Sequence, residues 1–190
     1  LLCEHEIKNR EILDPFTQLD ITKIEESECH KLLRQYREKY WLKVAFLDLC
    51  CKNPIENSIK YISELANKLI DSANQWAYKN VAKTNGEPLD EHNNPLPLMV
   101  LGMGKLGGQE LNYSSDIDIV VFYEPERIKS LDGYKLNEFW VELTKNLSTI
   151  ARSFVVLAAC TLATAGPDAL GGSSSACIDV PVAMVSTIRH

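Results

Sequence analysis

The chain has 190 residues, 45% of them hydrophobic, with a formal net charge of −6 and a pI of about 5.3. That apolar share is enough for a buried core, while the acidic balance argues against nonspecific nucleic-acid binding, which rests on neutralising phosphates with Lys and Arg. The longest apolar run, residues 154–165, falls well short of the roughly 18 residues a membrane-spanning helix needs, so no membrane partner is expected.

The first residue is Leu1 rather than Met, and residues 1–10 lack the charged-then-apolar pattern of a signal peptide. The chain is expected to begin inside a longer protein. Its six cysteines (Cys3, Cys29, Cys50, Cys51, Cys160, Cys177) show neither C-x-x-C nor zinc spacing. They are read as reduced thiols, and the location as cytoplasmic. The four histidines are scattered and read as solvated or structural.

Residues 1–30, broken by Pro15, read as the end of a preceding element and a linker. Residues 31–84 read as a helical segment. Within 29–51, Leu32, Leu33, Tyr36, Tyr40, Val44 and Leu47 recur at helical spacing. Lys31, Arg34, Arg37, Lys39 and Lys43 form a basic opposite side, either a solvated face or an electrostatic partner surface. A second helix is predicted to start with Asn53 as N-cap, Pro54 in the first turn and Glu56 completing a capping box. Its apolar stripe runs from Ile55 through Ile62, Leu69 and Trp76 to Ala77, and is expected to pack on the first helix and on the sheet that follows. Residues 84–97 hold Asn85-Gly86, Pro88, Asn93-Asn94, Pro95 and Pro97, a density of turn residues that predicts a loop.

Residues 97–124, PLMVLGMGKLGGQELNYSSDIDIVVFYE, are the centre of the chain. Residues 98–101 form an apolar run of strand length. Gly102, Gly104, Gly107 and Gly108 then permit a sharp turn and the close approach of a ligand. A second β-rich run follows in Ile117, Ile119, Val120, Val121 and Phe122. Asp116 and Asp118 sit at its start. Residues i and i+2 of a strand share a face, so the two carboxylates should project together while Ile117 and Ile119 face the core. Like charges held that close are relieved by a cation, and a hard divalent ion takes carboxylate and phosphate oxygens together. A loop of bare amides beside paired carboxylates suits phosphoryl or nucleotidyl transfer.

Two other motifs compete for the same letters. Gly102 to Gly107 reads literally as G-x-G-x-x-G, the dinucleotide fingerprint. The segment between Gly107 and Ile117 is too short for the crossover that joins parallel strands, which takes roughly a dozen residues or more. The spacing of a P-loop is absent. A plain glycine turn beside a solvated Asp pair is the bland alternative.

Residues 101–119, LGMGKLGGQELNYSSDIDI, resemble the signature of the glutamine synthetase adenylyltransferase/deadenylylase family, and a looser likeness runs over residues 32–150. The block is closer to the family's N-terminal, deadenylylating half. The resemblance implies an α/β (α+β) nucleotidyltransferase fold of the DNA-polymerase-β type, preceded by a helical segment, with residues 85–157 forming a partial core. It implies addition of AMP from ATP to a tyrosine of glutamine synthetase, or its removal by phosphate as ADP. On this reading Asp116 and Asp118 are catalytic and ligate Mg²⁺. Backbone amides of Gly102, Gly104, Gly107 and Gly108, helped by a helix start near Lys105, would cradle phosphates. Lys105 would supply a point charge, and Ser114 or Ser115 would bond a phosphate or cap the turn. Glutamine synthetase and a PII-type signal protein are the implied partners, and nucleic acid is not expected to be one.

After a loop from 125 to 133, residues 134–157 read as a helix burying Leu136, Phe139, Trp140, Leu143, Leu147, Ile150 and Phe154. The tail, 158–190, is atypical. Between 151 and 190 only Arg152, Asp168, Asp179 and Arg189 are charged. The family pattern implies a strand here with a third carboxylate and alternating arginines, yet residues 160–167, CTLATAGP, hold neither. The tail is therefore read as non-homologous or disordered, and the domain as weakly active or inactive. The alternatives are a catalytically incomplete nucleotide-binding fragment or a nucleotidyltransferase with a small-molecule substrate.

Overall fold

The computed structural model describes residues 12–124, 127–131 and 133–154, together with the strands Ala159–Ala163 and Ala183–Arg189. A short 3-10 turn, Ile21–Lys23, is capped by Asp20, whose carboxylate accepts the Thr22 amide at 3.2 Å. Helix α1, Glu26–Cys50, follows and buries Cys29, Leu33, Tyr40, Val44 and Leu47. These positions recur every three, four or seven residues, which keeps them on one helical stripe.

Helix α2, Ile55–Asn85, is the central element of the core. It buries Ile62, Leu65, Leu69, Ala73, Trp76 and Val81, and it packs on α1 and on the later helix Gly133–Phe154. The indole of Trp76 donates to Ile24 O at 2.9 Å, fixing the turn before α1 to this helix. The predicted capping box is not formed. Pro54 itself is the N-cap, and no side chain caps the helix. Helix α2 starts one residue later than predicted, and Asn53 Nδ2 donates instead to Asp48 Oδ1, at 3.0 Å, and to Ser58 Oγ, at 2.7 Å. The predicted stripe also loses its first member, since Ile55 is 58% exposed. At the far end Gly86 closes the helix with φ +84°, a left-handed value that favours glycine.

The loop that follows is organised by Asp90, whose Oδ1 accepts the amides of His92 and Asn94, both at 2.8 Å. Strand β1, Met99–Met103, runs two residues beyond the predicted end. A single-turn helix α3, Gly104–Gly107, leads through a loop to strand β2, Ile117–Phe122. Helix α4, Gly133–Phe154, then buries Leu136, Phe139, Trp140, Leu143, Leu147 and Ile150, as predicted. Trp140 stacks on Tyr123 with ring centroids 4.5 Å apart, which joins α4 to the end of β2.

The strands form one antiparallel sheet in the order β1-β2-β4-β3, with β3 at Ala159–Ala163 and β4 at Ala183–Arg189. The antiparallel β1–β2 pair removes the dinucleotide-binding reading, because that fingerprint belongs to a parallel crossover unit. Both strands of the tail join the sheet, and the remaining tail residues lie outside the described ones. Apart from Leu47, the buried hydrophobic residues from Ile12 to Ala151 belong to one cluster, so the helical pair and the β1–β2 hairpin share a core. Among the described residues no helix is long and apolar enough to cross a membrane. Cys29 and Cys50 are free thiols, whereas Cys51 is disulfide-bonded, which corrects the expectation of six reduced cysteines.

Candidate active site

The site is built by the β1–β2 hairpin. Its register sets Met103 opposite Asp118 and Gly102 opposite Ile119. Directly paired residues of an antiparallel ladder share a face. Ile117, Ile119 and Val121 are buried, whereas Asp118, Val120 and Phe122 are half-buried. Asp118 therefore lies on the side away from the core, with the partly exposed Met99, Leu101 and Met103 as its cross-strand neighbours on that face. Asp116 precedes the first residue of β2 and is exposed. Both carboxylates thus sit off the side that Ile117 and Ile119 use for packing.

The glycines divide into three roles. Gly104 has φ +52°, and a Cβ placed there would come within 3.4 Å of Asp118 Oδ2. This is where the turn and the strand-borne carboxylate meet. Gly102 and Gly107 are required by the chain's own packing. A Cβ at Gly107 would stand 2.6 Å from Gly102 O, and one at Gly102 would stand 2.8 Å from Leu106 Cγ. Leu106 is the buried residue of the single turn and pins it to the core. Gly108 has an ordinary φ of −77° and ordinary contacts, so neither conformation nor packing demands glycine there. Lys105 is exposed beside them, its carbonyl accepting the Glu110 amide at 2.7 Å.

The two serines behave differently. Ser115 is buried, and its hydroxyl donates to Asn112 Oδ1 at 2.9 Å and accepts the Asn112 amide at 2.9 Å. It closes the turn. Ser114 is exposed, with its amide donating to Asn112 Oδ1 at 3.0 Å and its hydroxyl to the same oxygen at 3.2 Å. Asn112 was not singled out in the sequence, although an Asn followed by two serines carries the mark of an Asx turn. Also unread was the tie from Tyr113, whose hydroxyl donates to Asp48 Oδ2 at 2.8 Å.

Two aspartates beside a turn of backbone amides fit Mg²⁺ chemically, since that ion takes one or two carboxylates and completes its shell with phosphate and water. Among the described residues no cluster of three or more His, Cys, Asp or Glu side chains could hold a metal. The expected third carboxylate is absent from the tail strands: neither β3 nor β4 contains Asp or Glu, and Thr187 is the residue in register with Asp118 on β4.

A helical pair packed against an antiparallel hairpin, with a glycine turn set on a strand-borne aspartate, is compatible with an α/β domain of the nucleotidyltransferase type. Similarity to known proteins narrows that class. Residues 10–155 match the family described as glutamate-ammonia ligase adenylyltransferase, and the chain belongs to it. It is 40% identical over 134 residues, 69% of its length, to the bifunctional glutamine synthetase adenylyltransferase/adenylyl-removing enzyme of Shewanella woodyi. It is 35% identical over 135 residues, 70% of its length, to the enzyme of that name from Shewanella loihica, and 41% identical over 98 residues, 52% of its length, to that of Pasteurella multocida. The chain spans only 14% of the two Shewanella proteins and 10% of the Pasteurella one.

Proposed function

We propose that this chain is a nucleotidyltransferase domain of the DNA-polymerase-β type that acts on the AMP–tyrosine linkage of glutamine synthetase, in the cytoplasm and under a PII-type signal protein. The observation that carries the reading is the approach of Asp118 Oδ2 to the Gly104 turn. Asp116 and Asp118 would hold Mg²⁺, which supplies charge neutralisation at a phosphoryl group undergoing in-line displacement. Amides of the exposed residues Gly104 and Lys105 would face the nucleotide's anionic oxygens, whereas the Gly108 amide is spent on Gly104 O at 3.0 Å, and Lys105 would add a mobile positive charge. In the removing direction an oxygen of inorganic phosphate bonds to the AMP phosphorus, the tyrosine oxygen leaves, and ADP forms. In the adding direction the tyrosine oxygen attacks the α-phosphorus of ATP and pyrophosphate leaves. The protein's part in either is orientation and electrostatics.

A second reading is favoured by Thr187 standing where β4 pairs with Asp118. With two acids instead of three, the domain would bind a metal–nucleotide complex without turning it over. The Asp116→Ala/Asp118→Ala double variant tests what both readings share. Calorimetric titration with ADP in the presence and absence of Mg²⁺ should show metal-dependent binding that the double variant loses. An unchanged Mg²⁺-dependent affinity would remove the assignment of the two aspartates.

A further inference from the structure

We propose that Tyr113 is a positioning residue, whose hydroxyl, held by Asp48 of α1, sets the turn that places Asp116 relative to Asp118. The inference rests on reading those aspartates as the metal-binding pair. The two are fixed by different means. Asp118 lies within β2, and the ladder to Met103 and Thr187 determines where its backbone stands. Asp116 lies before the strand, so no ladder determines its place. The turn of residues 111–115 leads directly into it.

This segment is held at successive points. The Leu111 amide, in a buried position, donates to Ser63 Oγ of α2 at 3.0 Å. Asn112 organises Ser114 and Ser115 from within. Tyr113 reaches out of the segment to Asp48. The Asp48 carboxylate is prepared for it: Asn53 Nδ2 donates to Oδ1 at 3.0 Å and Ser58 Oγ donates to the same oxygen, leaving Oδ2 for the tyrosine. Burial raises the Asp48 pKa, but the hydrogen bonds from Ser58, Asn53 and Tyr113 outweigh burial and keep the carboxyl below its ordinary range. The Tyr113 ring stands edge-on to Trp41 with centroids 5.6 Å apart. A phenylalanine would keep that ring contact and lose only the hydroxyl. The anchoring carboxylate belongs to α1, which bears none of the candidate nucleotide- or metal-binding residues, so the helical pair would act as the rigid reference for the site.

The test uses the chain itself, Tyr113→Phe and Asp48→Asn, with two readouts. Hydrogen exchange of the metal-free chain should show faster exchange at the amides of residues 114–116 in Tyr113→Phe, with α2 and α4 unchanged. Titration with Mg²⁺ at constant ADP should show a requirement for the ion raised about tenfold, the scale of losing one charge-assisted hydrogen bond. Asp48→Asn keeps a polar partner for the hydroxyl and should recover most of the wild-type Mg²⁺ requirement. A purely structural tyrosine would lower the melting temperature without moving the Mg²⁺ requirement. That outcome, or unchanged exchange at 114–116, overturns the inference while leaving the metal assignment standing. Absence of Mg²⁺-dependent ADP binding in the unaltered chain instead overturns the metal assignment and this inference with it.

Discussion

Gly104 and Asp118 stand against each other where the β1 turn meets β2: a methyl group on the first would come within 3.4 Å of Oδ2 of the second. Two features combine there. Met103 is the last residue of the ladder and pairs with Asp118. The next residue swings to φ +52°, which starts the single helical turn under the carboxylate. The backbone at Gly104 is thereby brought beside an anionic side chain, an arrangement that a cation and a phosphate could share.

The glycines should therefore respond unequally to alanine. Gly107→Ala forces a Cβ against Gly102 O at 2.6 Å and should cost about 1–3 kcal/mol, as overpacking commonly does. Gly104→Ala imposes a left-handed alanine at about 1–2 kcal/mol. Gly108→Ala should stay within about 0.5 kcal/mol. Urea unfolding of the three variants checks the order, and Gly108→Ala as the most destabilised would contradict it.

Ser63 supports the site from α2. Its hydroxyl accepts the buried Leu111 amide and donates to Ile59 O at 2.9 Å. Ser63→Ala leaves that amide without its acceptor and should cost about 1–3 kcal/mol. The same substitution at Ser72, whose hydroxyl donates to Lys68 O within α2, strands no amide and should cost less. Equal costs in denaturant unfolding would argue that Ser63 does nothing for the loop.

The free thiols should differ in reactivity. Burial, with the nearby Glu26 carboxylate, raises the Cys29 pKa from 9.0 to about 12, while Cys50 is exposed. Iodoacetamide at pH 8 should label Cys50 in the native chain and Cys29 only on unfolding, as read by peptide mass spectrometry. The raised thiol pKa also gives a sign. Its contribution to stability is complete below pH 9 and is lost as pH rises from about 9 toward 12, because the unfolded chain ionises first. Cys29→Ser should flatten that alkaline limb.

Acid acts through Asp48. Its folded-state carboxyl titrates below the ordinary 3.8, so the stability it confers is present above that value and lost as pH falls below it. Thermal unfolding between pH 5 and pH 2 should fall less steeply in Asp48→Asn than in the unaltered chain. Parallel pH profiles would show that the carboxylate contributes nothing through its hydrogen bonds.

Turnover should be weak or absent. On the proposed reading, two acids on one hairpin, with no Asp or Glu among the described tail residues, would leave the attacking oxygen without the third carboxylate that the family resemblance implies. Phosphate-dependent release of ADP from adenylylated glutamine synthetase is the assay. A rate near that of a full-length family member would remove the incomplete-site reading.

Much of this architecture is written locally. Helices α1, α2 and α4 follow from apolar residues at helical spacing, and β2 from its alternation of buried and half-buried positions. The block from Gly102 to Asp118 announces the family by composition and order alone. Such signals act over a few residues, which is why they can be read without coordinates. Tertiary structure decided the rest. Whether Pro54 or Asn53 caps α2 depended on where Asp48 drew the asparagine. That Gly102 and Gly107 serve packing depended on Leu106 being buried beneath them. The partnership of Tyr113 with Asp48 joins residues 65 positions apart. No periodicity encodes such a pair, because it exists only after the helical pair and the hairpin have closed on one core.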